Sequence, residues 1–185
     1  FKVGERVVSR VWHQSEYVAD ENSPWQIVKV PDNVESEDAV WSHLYTLSAH
    51  CYRKAWFTPG ETVAVVGLGI LGMGAVALGP CFGARVIGLG NSPIRMETAL
   101  KMGAHACFMS DDPDLAEKIA DFTDGIGVDL VILTANPWPA HRTALEIVRP
   151  GGRVAIVALS GRGEPPLDFN PLSMELFYNK GISLV

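Results

Sequence analysis

The 185-residue sequence has few cysteines, no long apolar run and no excess of basic charge. Its three cysteines are widely spaced, which predicts reduced thiols rather than a disulfide framework. No apolar run approaches the roughly 18 to 20 residues that a membrane helix needs. The net charge of -6 argues against a nucleic-acid surface, because phosphate binding needs clustered Lys and Arg. We therefore expect a cytoplasmic protein with no membrane or nucleic-acid partner.

Hydrophobic residues make up 48% of the sequence, enough for a full core. The first residue is Phe1 rather than Met, and a strand-like run follows it at once. We therefore expect a piece of a longer polypeptide.

From Gly60 onward, short apolar runs alternate with longer segments, a pattern typical of βα units around a parallel sheet. Six runs rich in Val, Ile and Leu predict strands at residues 62–67, 85–90, 106–110, 128–135, 153–159 and 181–185. With five intervening helices, this order predicts an α/β fold with a doubly wound sheet in the strand order 3-2-1-4-5-6.

Capping signals mark the predicted helices. A side-chain acceptor precedes a proline at Ser92-Pro93, Asp112-Pro113, Asn136-Pro137 and Asn170-Pro171. Glycines that favour a left-handed helix end follow at Gly83, Gly103, Gly125 and Gly181. Further towards the N-terminus, residues 36–57 read as one helix, and residues 5–11 and 25–30 as two short strands.

A glycine-rich turn, Gly67-Leu68-Gly69-Ile70-Leu71-Gly72, directly follows the first apolar strand and opens an apolar helix. The spacing alone is a weak signal, but this context is what the dinucleotide fingerprint requires. Gly67 would make the tight turn, Gly69 would let a pyrophosphate approach the backbone, and Gly72 would let helix and strand pack closely. Ile70 and Leu71 would offer the free N–H groups of the helix start to the phosphates.

The end of the second strand lacks the acidic residue that binds the ribose hydroxyls of NAD. Gly90, Asn91, Ser92 and Arg95 stand there instead. Without the carboxylate a ribose 2′-phosphate is not repelled, and these side chains can donate hydrogen bonds to it. The segment favours NADP over NAD. The alternative is that Ser92 only caps the helix and Arg95 is a solvated surface residue, in which case NAD stays open.

Later segments carry a more specific resemblance, at residues 59–72, 83–87, 99–104, 149–154 and 180–185. In order and spacing they resemble the cofactor domain of the medium-chain dehydrogenase/reductase superfamily, the zinc-type alcohol and polyol dehydrogenases and their zinc-free quinone reductase relatives. The resemblance implies a six-stranded Rossmann sheet. It also implies two domains: residues 1–34 as a remnant of the β-rich, GroES-like catalytic domain, and residues 35–185 as the NAD(P)-binding domain.

Several site residues follow only from this resemblance. His43 falls where zinc-dependent relatives place a ligand, and Thr46 falls near a residue that touches the nicotinamide. The nicotinamide would lie against the ends of the fourth and fifth strands, at Thr134, Ala135, Ala158 and Leu159. The other zinc ligands and the catalytic residues would lie outside this sequence. Residues 181–185 would pair across a twofold axis to form a homodimer.

The leading hypothesis is an oxidoreductase that moves a hydride between NADP(H) and the alcohol or carbonyl carbon of a small-molecule substrate, using zinc in the full-length protein. Two alternatives stay open: a zinc-free quinone or enoyl reductase, and a non-catalytic nucleotide-binding domain.

Overall fold

The computed structural model describes residues 1–19, 22, 27–159 and 165–185. Their order along the chain is β1 (Val7–Ser9), β2 (Ile27–Lys29), α1 (Ser36–Ala39), α2 (Ser42–Lys54), β3 (Thr62–Val66), α3 (Ile70–Cys81), β4 (Arg85–Gly90), α4 (Pro93–Lys101), β5 (Ala106–Met109), α5 (Leu115–Phe122), β6 (Val128–Leu133), α6 (Trp138–Ile147), β7 (Val148–Ile156), a π-helix (Met174–Tyr178) and β8 (Ser183–Leu184). No helix in these ranges is long and apolar enough to cross a membrane.

The chain forms two compact units, Phe1–Thr46 and Leu47–Val185. In the first unit, β1 and β2 pair antiparallel, with Val8 opposite Val28. Of the predicted strand at residues 25–30, Trp25 and Gln26 lie outside the described residues. The division into units falls inside α2, and the domain boundary at residues 34 and 35 stays a prediction.

The prediction of one helix over residues 36–57 is wrong. α1 ends at Ala39, and the Trp41 N–H donates to the Asp38 carbonyl in a tight turn at 3.2 Å. A new helix starts beyond it, because the Tyr45 N–H donates to the Trp41 carbonyl at 2.9 Å. β-Branched and aromatic residues such as Val40 and Trp41 favour a helix interior less than Ala or Leu, and both side chains are exposed here. Burial of these two side chains is too small to compensate for that low propensity.

The second unit contains a six-stranded, entirely parallel sheet in the order β5-β4-β3-β6-β7-β8. Counted from β3, this is the predicted order 3-2-1-4-5-6, so the doubly wound fold is confirmed. β3 lies in the middle, where Val65 is opposite Gly88 of β4 on one side and Ile132 of β6 on the other.

The core lies on both faces of this sheet, and alternate residues of β3 supply the two faces. Val63 and Val65 pack with α2, α3 and α4 in one buried cluster, and Ala64 and Val66 pack with α5 and α6 in the other. All four are at most 2% exposed. Because both faces are covered, the strands read as continuous apolar runs.

The predicted helix ends are better confirmed than the predicted caps. Gly83, Gly103, Gly125 and Gly181 all have positive φ angles, from 58° to 110°. None of the four side chains predicted as caps makes a capping hydrogen bond to its helix. Asp112 Oδ1 accepts from the Asp114 N–H at 2.9 Å before α5 starts at Leu115, and the last helix is a π-helix whose cap is Ser173 rather than Asn170. Short polar side chains form turns as readily as they cap helices.

Candidate dinucleotide-binding cleft

The candidate site lies at the carboxyl ends of β3 and β6, where the chain order of the sheet reverses. Ligands of doubly wound sheets bind at such a switch point. A cleft of about 440 Å³ opens here, and we call it the switch-point cleft. It is lined by the residues Val66, Gly67, Leu68, Gly69, Leu89, Gly90, Asn91, Arg95, Ser110, Asp111, Thr134, Ala135, Pro137, Pro139, Ala140 and Thr143.

The glycine turn has the tight geometry that its sequence predicts. Gly67 has φ = +100°, a left-handed conformation in which a side chain is strained. A Cβ atom added at Gly72 would lie 1.8 Å from the Gly67 carbonyl oxygen. Any larger residue at position 72 would therefore push the first turn of α3 away from β3.

Gly69 has a different role from the other two glycines. It precedes α3 in an extended conformation (φ = −82°), and a Cβ added there would meet no described atom within 4 Å. The space beside Gly69 is therefore open, and the free N–H groups of the first turn of α3 lie next to it. This open cradle fits the pyrophosphate of a dinucleotide.

Beside the turn, the end of β4 carries no carboxylate. Gly90 is buried, and a Cβ added there would lie 3.0 Å from Leu68 Cδ1. Asn91 and Arg95 are exposed and line the switch-point cleft. Ser92 precedes α4, but its side chain makes no capping hydrogen bond. The interpretation of Ser92 as the side-chain cap of this helix is therefore not supported.

Ser110 and Asp111, which belong to none of the sequence motifs, also line the switch-point cleft. They follow β5, and the Ser110 N–H donates to the Gly90 carbonyl at 2.8 Å. The predicted strand order contained the signal, since it places the third strand beside the second. Asp111 adds a carboxylate to the same end of the cleft as Arg95.

At the end of β6, Thr134 and Ala135 line the cleft as expected. The Thr134 hydroxyl donates to the Gly67 carbonyl at 2.8 Å and is 3.2 Å from the Val66 carbonyl. Beyond β7, Ala158 packs against the α5 and α6 cluster, and Leu159 is exposed.

The two residues at the start of α3 differ in exposure. Ile70 is 51% exposed, whereas Leu71 is half-buried. The Leu71 carbonyl accepts a hydrogen bond from Ser48 Oγ at 2.8 Å. The contact of these two residues of α3 with the cofactor stays a prediction, as does that of Ala158 and Leu159.

His43 and Thr46 both lie in the first unit, where they line a cavity of about 460 Å³. The Thr46 hydroxyl donates to the Ser42 carbonyl at 2.7 Å. The described residues contain no group of three His, Cys, Asp or Glu side chains that could hold a metal ion. Zinc therefore does not fit on these residues alone, and His43 stays a predicted ligand whose partners would lie elsewhere.

Two aromatic residues of α6, Trp138 and His141, are not among the residues that line the cleft. Trp138 Nε1 donates to the Pro165 carbonyl at 2.6 Å, and its ring meets His141 edge-on with centroids 5.0 Å apart. Burial lowers the pKa of His141, because the charged imidazolium is poorly solvated there. The neutral imidazole is thus favoured as a packing group.

Comparisons with known proteins agree with this geometry. The profile of a family described as zinc-binding dehydrogenase matches residues 71–185. The sorbitol dehydrogenase of Bacillus subtilis is 36% identical over 140 residues, which are 75% of this chain and 40% of that protein. An NADP-dependent isopropanol dehydrogenase of Thermoanaerobacter brockii is 34% identical over the same shares of the two chains.

Solved structures give the same result. An alcohol dehydrogenase from Thermus is 25% identical with a TM-score of 0.74, over 86% of this chain and 46% of that one. A putative zinc-binding dehydrogenase from Clostridium scindens, also 25% identical, has a TM-score of 0.77 over 86% of this chain and 45% of that one. The chain spans less than half the length of these relatives.

The sheet order and the switch-point cleft define a dinucleotide-binding domain of the Rossmann type. The chain belongs to the zinc-binding dehydrogenase family, so the resemblance to zinc-type medium-chain dehydrogenases is confirmed.

Proposed function

We propose that this chain is the cofactor-binding part of an NADP-dependent alcohol or polyol dehydrogenase. The observation that carries the proposal is the cradle at Gly69, open in front of the start of α3 at the switch point of the sheet. The relatives named sorbitol and isopropanol dehydrogenases support the substrate class.

The preference for NADP rests on the charges near the end of β4. Gly90 and Asn91 leave the position of the ribose-binding acid without a carboxylate, and Arg95 supplies a guanidinium that suits a 2′-phosphate. Relatives named NADP-dependent isopropanol dehydrogenases agree with this preference. The Asp111 carboxylate at the same end of the cleft would repel a 2′-phosphate, and NAD is therefore the alternative cofactor.

The nicotinamide cofactor carries the hydride, and this chain binds and orients the cofactor. The N–H groups at the start of α3 bind the pyrophosphate, and Asn91 and Arg95 bind the adenosine end. Thr134 and Ala135 lie where the cofactor passes from its adenosine half to its nicotinamide half. The described residues do not form a metal site, so any zinc in the full-length protein would be held largely by residues elsewhere.

A homodimer through residues 181–185, a small-molecule substrate and a cytoplasmic location belong to the same proposal. Support for the dimer comes from β8, which pairs with β7 on one side and forms the edge of the sheet on the other. An unpaired edge strand is a template for another strand.

Direct hydride transfer tests the function. Protein expressed from the whole coding region is incubated with NADP⁺ and secondary alcohols or polyols deuterated at the carbinol carbon. We expect deuterium in the reduced nicotinamide, together with zinc bound in stoichiometric amount. Reduction of quinones or enoyl compounds without alcohol oxidation or zinc would instead identify a zinc-free reductase. Nucleotide binding without any turnover would identify a non-catalytic domain.

A further inference from the structure

We infer that Thr134 is a positioning residue, which holds the pyrophosphate-binding turn in place through Gly67 and does not act by touching the nicotinamide. This inference rests on the proposed function, since it concerns the same cofactor.

The Thr134 hydroxyl lies where three elements meet. It donates to the carbonyl of Gly67, the first residue of the turn, at 2.8 Å, and is 3.2 Å from the carbonyl of Val66 at the end of β3. A Cβ added at Gly72, in the first turn of α3, would lie 3.1 Å from the same hydroxyl oxygen. One side chain just beyond β6 thus hydrogen-bonds to the strand end and the turn and lies beside the helix start.

The hydrogen bond to Gly67 has a consequence because of how this carbonyl is packed. Its oxygen lies so close to Gly72 that a Cβ there would be 1.8 Å away, and the Gly67 conformation is left-handed at φ = +100°. A carbonyl in such a crowded place is costly to leave without a hydrogen-bond donor. The Thr134 hydroxyl satisfies it and fixes the direction of the turn.

The same bond ties the two halves of the site together. The Thr134 and Ala135 N–H groups also donate to the Val66 carbonyl, at 2.9 and 3.2 Å. The segment after β6 is therefore held to the end of β3 by backbone hydrogen bonds and to the turn by the Thr134 side chain. The N–H groups that bind the pyrophosphate stay in register with the strand end where nicotinamide is expected.

The test compares Thr134→Val, which keeps the shape of the side chain but removes its donor, with the wild type. Three ligands are titrated: NADPH, 2′-phospho-ADP-ribose, which lacks nicotinamide, and 2′-AMP, which lacks the pyrophosphate. We expect Thr134→Val to raise the dissociation constants of NADPH and 2′-phospho-ADP-ribose by the same factor, about 3- to 10-fold. The dissociation constant of 2′-AMP should not change.

Two further variants distinguish the loss of the hydroxyl group from a general loss of stability. Thr134→Ser and Thr134→Ala differ from each other in the hydroxyl group alone. We expect Thr134→Ser to bind NADPH nearly as tightly as the wild type, and Thr134→Ala to bind it as weakly as Thr134→Val. Thr98→Val is the matched control, because Thr98 also donates to a backbone carbonyl, that of Ile94 at 2.9 Å, in the exposed part of α4. It should change no dissociation constant.

Other outcomes overturn the inference in distinguishable ways. If Thr134→Val weakens NADPH but not 2′-phospho-ADP-ribose, Thr134 contacts the nicotinamide. If all three ligands weaken together, the residue has only a structural role. If the wild type binds neither NADPH nor NADH, the proposed function fails and this inference fails with it.

Discussion

Arg95 and Asp111 are, among the described residues that line the switch-point cleft, the single cation and the single carboxylate. Arg95 lies in the first turn of α4, close to the strand end where Rossmann domains that bind NAD generally carry an acid. The choice between NADP and NAD therefore depends on a few exposed side chains at one end of the cleft.

Replacing Arg95 by Gln tests this choice. A guanidinium gives a 2′-phosphate charge-assisted hydrogen bonds that a neutral amide cannot match. We expect the dissociation constant of NADPH to rise about 5- to 20-fold and that of NADH to change little, as measured by fluorescence titration. Lys101→Gln is the control on the same helix, since Lys101 is exposed and paired with Glu97 at 2.6 Å. An equal loss for NADPH and NADH would show that Arg95 does not read the 2′-phosphate.

Trp56 offers a stability test, because it has a left-handed conformation (φ = +49°) that bulky residues rarely adopt. Its N–H donates to Arg53 and that of Phe57 to Tyr52, as at a helix end that normally carries glycine. The side chain is 71% exposed, so little packing is lost on its removal. We expect Trp56→Gly to raise the free energy of unfolding by roughly 0.5 to 1 kcal/mol in denaturant titrations.

Trp12→Gly is the matched change, at a 79% exposed tryptophan whose φ is not positive. It should bring no gain. A fall in stability for Trp56→Gly would mean that the indole contacts outweigh the backbone strain.

The sequence predicts glycines better than polar side chains in this protein. Gly67, Gly83 and Gly103 have left-handed conformations, which is a local requirement that the neighbouring residues already indicate. Asn136 and Asp111 were not assigned their observed positions. Asn136 Oδ1 accepts a hydrogen bond from the Leu159 N–H, 23 residues away. Asp111 lines the cleft because β5, which precedes it, pairs with β4. Such long-range contacts are not encoded in a short window.

At the level of elements, the C-terminal end of α6 is held by a side chain from beyond the π-helix. Lys180 Nζ donates to the carbonyls of Leu145, Glu146 and Val148 at 2.6, 2.7 and 3.1 Å. Its positive charge also faces the negative end of the helix dipole. Partial burial lowers the pKa of Lys180, but the three carbonyls still accept hydrogen bonds from its amino group. Lys180 thus caps α6 and anchors the segment that leads into β8.

Lys180→Met removes the three donors and keeps much of the side-chain volume. We expect the free energy of unfolding to fall by about 1 to 2 kcal/mol, because the carbonyls at the helix end lose their partner. Equilibrium unfolding in urea measures this change. Lys101→Met, at an exposed ion pair, should cost less than about 0.5 kcal/mol. Equal effects of the two variants would contradict a capping role for Lys180.

The elements themselves were largely predictable from β3 onward, because apolar runs and glycines mark each βα unit. The segment at residues 36–57 was not, since the lower helix propensity of Val40 and Trp41 is too weak a signal to place a break. The break depends on two turn hydrogen bonds around Trp41, and the sequence contains no Gly or Pro there to indicate it.

For the whole molecule, the edge strand β8 bears on assembly. Val185 donates to the Val154 carbonyl and accepts from the Ile156 N–H, at 2.9 and 2.8 Å, so these groups point towards β7. By alternation along the strand, the N–H and C=O of Leu184 point to the open edge.

Leu184→Pro therefore removes an outward donor and no bond to β7. If two copies pair through this edge, the variant should shift the protein from dimer to monomer in sedimentation velocity. Ser183→Ala, which keeps every backbone donor, should stay dimeric. A dimer that persists in Leu184→Pro would place the interface elsewhere.

The central claim is that the pyrophosphate of a nicotinamide dinucleotide lies in the cradle at Gly69. Gly69→Asp tests it most directly, because an aspartate suits the residue before a helix and should leave stability unchanged or raise it by up to about 1 kcal/mol. The same carboxylate would occupy the open space and repel the pyrophosphate. We predict that titration with NADPH gives a dissociation constant at least about 100-fold weaker than that of the wild type, with a smaller loss for Gly69→Asn. A folded Gly69→Asp variant that binds NADPH as tightly as the wild type would contradict the account.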